Sequence, residues 1–255
     1  MDWAKHREWM VITVLGAVVL AAIIILGFAI FYKTPTCTDG KMNGDETGID
    51  CGGTSCSTIC SAEAQPAQIR FARSLMQSGR SDLIAYIDNP NTKAYALNTH
   101  FTITIYRQDG HTLVRHAVLS IPSNSSTPLY IPGISSAPVQ QVFVTFDPGY
   151  PVWVRSSADA KTAPKASNIS VVNTDSRPVI TAIITNQTAY PATNVPLIAT
   201  VFDANGTVIA ASQTVLPLLS PQSNTQAVFT WNEPFSAPYA RVDIVPLIAL
   251  PTLVP

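Results

Sequence analysis

Apolar residues follow one another without a polar stripe from Met10 to Tyr32. After that, the chain turns to alternation. The run from Val11 to Phe31 is interrupted only by Thr13, Gly16 and Gly27 and carries no charge. As a helix it reaches roughly 33 Å, enough to cross a bilayer core. A core helix of a soluble domain would show a polar stripe. A cleaved signal peptide would have a shorter apolar region and a small-x-small site, and neither is present before Lys33. The pattern predicts a transmembrane signal-anchor over 10–32 with the lipid bilayer as its partner. Trp9 and Tyr32 stand where interfacial aromatics belong, and a polar tail covers 1–9.

Beyond a linker over Ser61–Gln68, the period changes to two. Phe101, Ile103 and Ile105 alternate with Thr102 and Thr104, and Val142, Val144 and Phe146 form a second such stripe. The pattern also repeats. Asp82-Leu-Ile-Ala-Tyr-Ile-Asp-Asn89 matches Val179-Ile-Thr-Ala-Ile-Ile-Thr-Asn186 at an offset of 97 residues. Phe101–Tyr106 matches Leu197–Phe202 at an offset of 96, and Ser136–Val144 matches Ser236–Ile244 at an offset of 100. A period near 100 indicates two copies of one domain, because solenoid repeats run about 20–50 residues. Asp109-Gly110 and Asn205-Gly206 lie between apolar runs as hairpin turns. The fold class expected is all-β: two tandem immunoglobulin-like antiparallel sandwiches after one N-terminal transmembrane helix and a small disulfide-rich segment. The expected boundaries are 37–60 for the cysteine segment, 69–155 and 167–246 for the sandwiches, 156–166 for a linker, and 247–255 for a Pro-rich tail. That tail reads as a last edge strand with a frayed end.

Composition narrows the function. Net charge is -1 with 12% charged residues over 255 positions, and no basic block offers a footprint for nucleic acid. All four cysteines, Cys37, Cys51, Cys56 and Cys60, fall in one short segment too poor in apolar residues to bury a core. Two disulfides would hold it, in any of three pairings. Clustered thiols beside a membrane point to an oxidising compartment. Lys5 and Arg7 against Lys33 and Lys41 leave the charge bias nearly even, so the cysteines set the expected orientation: N-terminus cytoplasmic, C-terminal domains extracytoplasmic. Zinc is the chemical alternative, but C-x4-C-x3-C lacks paired C-x2-C knuckles. Calcium is a second. Asp39, Asn43, Asp45 and Asp50 occupy positions 1, 5, 7 and 12 of an EF-hand-like loop, with Gly44 at the turn. Against it, Lys41 stands where an oxygen ligand is wanted, and no helical pattern flanks the loop.

The segment resembles a cysteine motif of bacterial surface proteins, C-x-D-G-x-x-N-x-x-E-T-G-x-D-C-G-G with two further cysteines. Cys37, Asp39, Gly40, Asn43, Glu46, Thr47, Gly48, Asp50, Cys51, Gly52 and Gly53 fit it. The resemblance implies an extracytoplasmic module near a membrane or between domains. The second copy, over about Ser170 to Val245, is similar to the bacterial and archaeal β-sandwich family named for an F-x-L-Y-D strand motif. Thr200-Val-Phe-Asp203 stands where that motif ends, with Phe202 for tyrosine. In the first copy Arg107 replaces the aspartate. That likeness implies a non-catalytic extracytoplasmic module.

No G-x-S-x-G, H-E-x-x-H or phosphate-cradling loop occurs. His100, His111 and His116 read as surface residues, and Trp153 as a core cap or an inter-domain contact. The chain is therefore expected to be a non-enzymatic envelope protein that displays two domains for protein or glycan interaction or for structural roles. The alternative is an accessory subunit of a membrane enzyme, secretion or assembly complex. No cofactor beyond the calcium just weighed is expected.

Overall fold

The computed structural model describes residues 2–156, 163–247 and 251–254. Residues 157–162 of the expected linker and 248–250 and 255 of the tail lie outside the described residues, as does Met1.

Helix α1 (Asp2–Phe31) begins earlier than the apolar run, so most of the expected polar tail continues the helix. At 30 residues it is long and apolar enough to cross a membrane. Among the described residues its apolar side chains pack on no other element: Val14, Leu15, Ile24 and Ile25 are all exposed. Thr13 satisfies its hydroxyl within the helix by donating to the carbonyls of Trp9 and Met10.

The rest is antiparallel β. The first copy comprises β1 (Gln68–Gln77), β2 (Arg80–Asn89), β3 (Ala94–Arg107), β4 (Thr112–Ile121), β5 (Ser125–Ser135) and β6 (Val139–Phe146), with a short β7 (Val154–Arg155). The second comprises β8 (Lys165–Val172), β9 (Val179–Asn186), β10 (Ala192–Phe202), β11 (Val208–Leu219), β12 (Ser223–Thr230) and β13 (Arg241–Pro246). Each copy is a two-sheet sandwich, and the sheets correspond strand for strand. Order β1-β2-β5 matches β8-β9-β12, and β4-β3-β6 matches β11-β10-β13. The second sandwich starts at Lys165, two residues inside the expected linker.

The repeat extends to polar detail. Asn89 and Asn186 are both buried, 2% and 1% exposed, at the ends of equivalent strands. Each donates its amide across the sandwich end, Asn89 to the Ala94 and Pro122 carbonyls and Asn186 to those of Tyr190, Leu219 and Ser220. Each also accepts a backbone N–H two residues on, from Asn91 and Thr188. Both predicted hairpins form, with loops over 108–111 and 203–207. In each, the glycine N–H returns to the carbonyl three residues before it, and Gly110 and Gly206 take φ of 82° and 74°. A β-branched residue would be strained there.

The two sandwiches also pack on each other. The outer face of β1-β2-β5 lies against the outer face of β11-β10-β13, and Ile198, Phe202, Val208, Ala211 and Leu247 of the second copy join the core of the first. Four sheets are thus stacked, the inner two covered on both faces. Leu83 through Ile87 on β2 and Val195 through Phe202 on β10 are buried without a break. At the centre, the Tyr86 hydroxyl donates to Thr200 Oγ1 at 3.1 Å. The Tyr86 ring meets Phe71 and Phe202, and the Arg241 guanidinium lies 4.1 Å above the Phe202 ring.

In the tail, strand β14 (Thr252–Val254) pairs with β4 at the edge of the first sandwich and not with the second.

Candidate functional site

Three places gather chemistry: the cysteine knot, the seam between the sandwiches, and the open face of β4-β3-β6.

In the knot, Cys37 bonds Cys56 and Cys51 bonds Cys60, which selects one of the three pairings open to the sequence. The carboxylates of the predicted calcium set hold backbone donors. Asp50 accepts the Gly40 N–H with both oxygens at 3.0 Å. Asp39 accepts Lys41 N–H and the Asn43 side-chain amide. Asp45 turns the other way and accepts the N–H and hydroxyl of Thr54 and the N–H of Ser55. Asp39, Asn43 and Asp50 are therefore neighbours around Gly40, and Asp45 is aimed elsewhere. Among the described residues, one potential ligand group is gathered, Cys37, Glu46 and Cys56, and its two sulfurs are joined to each other. The motif glycines have steric reasons. A Cβ on Gly53 (φ 65°) would stand 2.1 Å from the Asp45 carbonyl oxygen, and one on Gly52 (φ 78°) 1.7 Å from Thr47 Oγ1.

The Thr54 hydrogen bonds hold the Asp45 carboxyl well below the usual carboxylate range, and the Asn43 hydrogen bond lowers that of Asp39. A lowered pKa gives stability that is complete above the unfolded value near ~4 and lost only as pH falls through the folded value. The Thr54 amide resonance is therefore expected to hold its position in an NMR titration through about pH 3, below ordinary aspartate titration. A midpoint near ~4 would contradict this capping.

The knot is docked on the first sandwich. Thr58 bridges Val154, and β7 in turn pairs with Ala94 and Tyr95 at the start of β3. Ile59 N–H donates to the Trp153 carbonyl at 2.9 Å, and the Arg155 guanidinium donates to the Gly53 carbonyl at 2.7 Å. Trp153, 3% exposed, fills a small cluster with Ala94 and Ala96 below and Ile59, Ala64 and Ala67 above. Of the two expected roles it takes the inter-domain one, joining knot to sandwich in a cluster apart from the main core. The expected linker Ser61–Gln68 is tied down as well, since Gln65 and Asn91 exchange two hydrogen bonds.

At the seam, Asp82 is fully buried. It accepts four donors: Tyr130 hydroxyl and Gly133 N–H at 2.7 Å, the Gln77 amide at 2.8 Å and Arg80 Nε at 3.1 Å. Gln77 then crosses to the second sandwich. Its amide donates to the Ala211 carbonyl, and its oxygen accepts Ala211 N–H and the Trp231 indole N–H. A cavity of about 240 Å³ opens beside this network, lined among others by Arg80, Asp82, Tyr130, Trp231 and Glu233. A wider groove of about 500 Å³ runs between the edges of β1 and β6. Burial pushes the Tyr130 phenol up, helped by Asp82. Burial likewise raises Tyr86, to about 12. Both tyrosines ionise in the unfolded chain near pH ~10 before they do so in the fold. Their contribution is thus complete below that pH and is lost as pH rises through the folded values. Alkaline unfolding followed by tyrosinate absorbance is expected to release both phenols with the fold, above the range of the exposed tyrosines. Release of all phenols near pH ~10 would contradict it.

On the open face of β4-β3-β6, the Thr102 hydroxyl donates to Asp147 at 2.6 Å and lies 3.3 Å from His116 Nδ1. His116 itself is 4.0 Å from Asp147. The carboxylate therefore takes the hydroxyl proton directly and does not orient the imidazole, which is not the relay of a nucleophilic triad. His100 stacks on Tyr150 nearby.

Sequence reasoning missed Gln77, Asp82, Tyr130 and Trp231. One signal was present: Asp82 opens an unbroken apolar run, where a charged residue has no solvent face to use.

No family model matches the chain, and no curated protein matches it. Among solved structures it is similar to a beta-glucuronidase from glycoside hydrolase family 2, at 11% identity and a TM-score of 0.22, over 80% of this chain and 26% of that one. It is also similar to a putative beta-galactosidase from Bacteroides fragilis, at 11% identity and a TM-score of 0.18, over 64% of this chain and 32% of that one. The chain thus spans about a third or less of those proteins, and likenesses this slight carry no argument about function.

Proposed function

We propose that this is a non-enzymatic, membrane-anchored protein of the bacterial cell envelope, whose C-terminal part stands outside the membrane and presents a rigid body to a protein or glycan partner. The observation that carries the reading is the continuity of attachment. An apolar helix that packs on no other element among the described residues leads within a few residues into a knot held by two disulfides. That knot is docked by Trp153 on the first sandwich, and the first sandwich is packed face to face on the second. From the knot outward these joints leave little slack, and residues 32–36 connect them to the helix. Paired cysteines favour an oxidising compartment.

The test is protease shaving of intact cells together with non-reducing mass spectrometry of the purified protein. A released C-terminal fragment carrying Cys37–Cys56 and Cys51–Cys60 linkages is the expected result. A protected fragment with free thiols would place the sandwiches in the cytoplasm and overturn the proposal.

A further inference from the structure

The cavity at the seam carries more polar chemistry than the packing of two sandwiches needs. Its volume of about 240 Å³ lies just below the ~300–1,000 Å³ of pockets for drug-sized ligands, so it has room for one ring and not for a chain. Its floor is rigid. Asp82 is fully buried under four donors, and Gln77 holds Asp82, Ala211 and Trp231 together. The Trp231 indole N–H donates to Gln77 Oε1 and to the Ala211 carbonyl, both at 3.2 Å, which fixes the plane of the ring. In the repeat, Val179 takes the position of Asp82, so this polar floor belongs to the first copy and not to the shared fold.

The rim groups, by contrast, are uncommitted. Arg80 uses Nε on Asp82, and its two terminal nitrogens have no partner among the described residues. Glu233 accepts only a long bond from the Ser78 N–H, at 3.4 Å. The side chains of Ser212 and Asn232 line the same space, and neither makes a hydrogen bond among the described residues. Trp231 and Phe235 meet edge to face at 5.3 Å and supply an apolar corner.

Charge and shape then select a ligand. Arg80, Asp82 and Glu233 are the charged lining residues, and Arg80 compensates Asp82. Glu233 leaves a net negative charge, which opposes a phosphate or a carboxylate. The Arg80 guanidinium opposes a quaternary ammonium, and so does the small exposed share of Trp231, because such a cation needs open aromatic faces. What fits is neutral, has hydroxyls along its edge for Arg80, Ser212, Asn232 and Glu233, and has an apolar C–H face for the aromatic corner. A pyranose ring has these properties.

We propose that the seam cavity binds the terminal ring of a neutral glycan. Neither sandwich holds the site alone: Arg80 and the Asp82 floor come from the first, and Ser212, Trp231, Asn232 and Glu233 from the second. Binding therefore clamps the seam. The inference rests on the display reading in taking the partner to be a glycan, but its test is read at the cavity and does not depend on membrane orientation.

The full chain is labelled with fluorotryptophan and held in a sugar-free detergent. Methyl glycosides of glucose, galactose, mannose and N-acetylglucosamine, in both anomers, are titrated in the millimolar range and followed by fluorine NMR. The expected result is a saturable shift of the Trp231 resonance, assigned by its loss in Trp231→Phe, with at least one glycoside, while Trp153 does not move. Methyl glucuronide, an anion, and choline bind at least tenfold more weakly. Glu233→Ala and Asn232→Trp, both at exposed positions, weaken binding at least tenfold with an unchanged thermal unfolding midpoint. No shift with any glycoside, equal or tighter binding of glucuronide or choline, an undiminished shift in both variants, or binding of free hexoses without their methyl glycosides overturns the proposal. A fragment released by shaving but giving no sugar shift removes this inference and leaves the display reading standing.

Discussion

Asp82→Ala is expected to lower the unfolding free energy by roughly 3–5 kcal/mol, the cost of leaving buried polar partners without their charge. The carboxylate is fully buried and takes four donors. The Tyr130 hydroxyl, on a residue 3% exposed, has little water to turn to; Arg80, at 55% side-chain exposure, and the exposed Gly133 have. The loss also reaches the second sandwich, because Gln77 holds Ala211 and Trp231. Asp82→Asn keeps one acceptor oxygen and is expected to cost roughly half as much. Urea denaturation of the two variants checks this. Equal and small effects would mean that water replaces the carboxylate and that the network does not hold the seam.

Trp153→Ala is expected to cost a similar ~3–5 kcal/mol, but in a different place. The indole is the largest side chain between knot and sandwich, and the small residues Ala94, Ala96, Ala64 and Ala67 around it cannot fill its space. The disulfides keep the knot's own shape, so the loss falls on its docking. Thermolysin is expected to cut residues 61–67 rapidly in the variant while the sandwiches stay folded and both disulfides remain. Unchanged cleavage with a lowered global stability would instead place Trp153 in the main core.

How much of this could be read from sequence depends on which face of each strand meets water. β3 alternates, with Phe101, Ile103 and Ile105 inward and Thr102 and Thr104 outward, and its sheet does have an open face. So does β9, where Ile180, Ala182 and Ile184 are buried in alternation. Their counterparts β2 and β10 do not alternate. Leu83-Ile-Ala-Tyr-Ile87 and Leu197-Ile-Ala-Thr-Val-Phe202 are unbroken runs, the signature of strands covered on both faces. The repeat was legible because paired motifs kept their order. The packing of the two copies on each other was written in the same stretches, as the difference between equivalent strands.

The knot was legible as a knot, but its pairing was not, because three connectivities satisfy the same spacing. Spacing placed Asp39, Asp45 and Asp50 beside glycine turns, and it did not tell that their carboxylates reach backbone N–H groups there. The network of Gln77, Asp82, Tyr130 and Trp231 joins positions more than 150 residues apart in part, as in the Gln77–Trp231 bond. No local pattern signals such a contact. The tail's return to the first sandwich has the same character. Thr252-Leu-Val254 reads as a strand, and only the fold says which edge it meets.

Through the shared core, the two sandwiches form one mechanical body. Hydrogen exchange in rising urea tests it most directly, comparing amides of β3 in the first sandwich with those of β9 in the second. Both strands lie in the sheets farthest from the shared seam. A common opening transition, with one midpoint and one slope, is the result the fold predicts. Opening of β9 at clearly lower urea while β3 stays protected would show two independent domains, and would contradict the account of the seam.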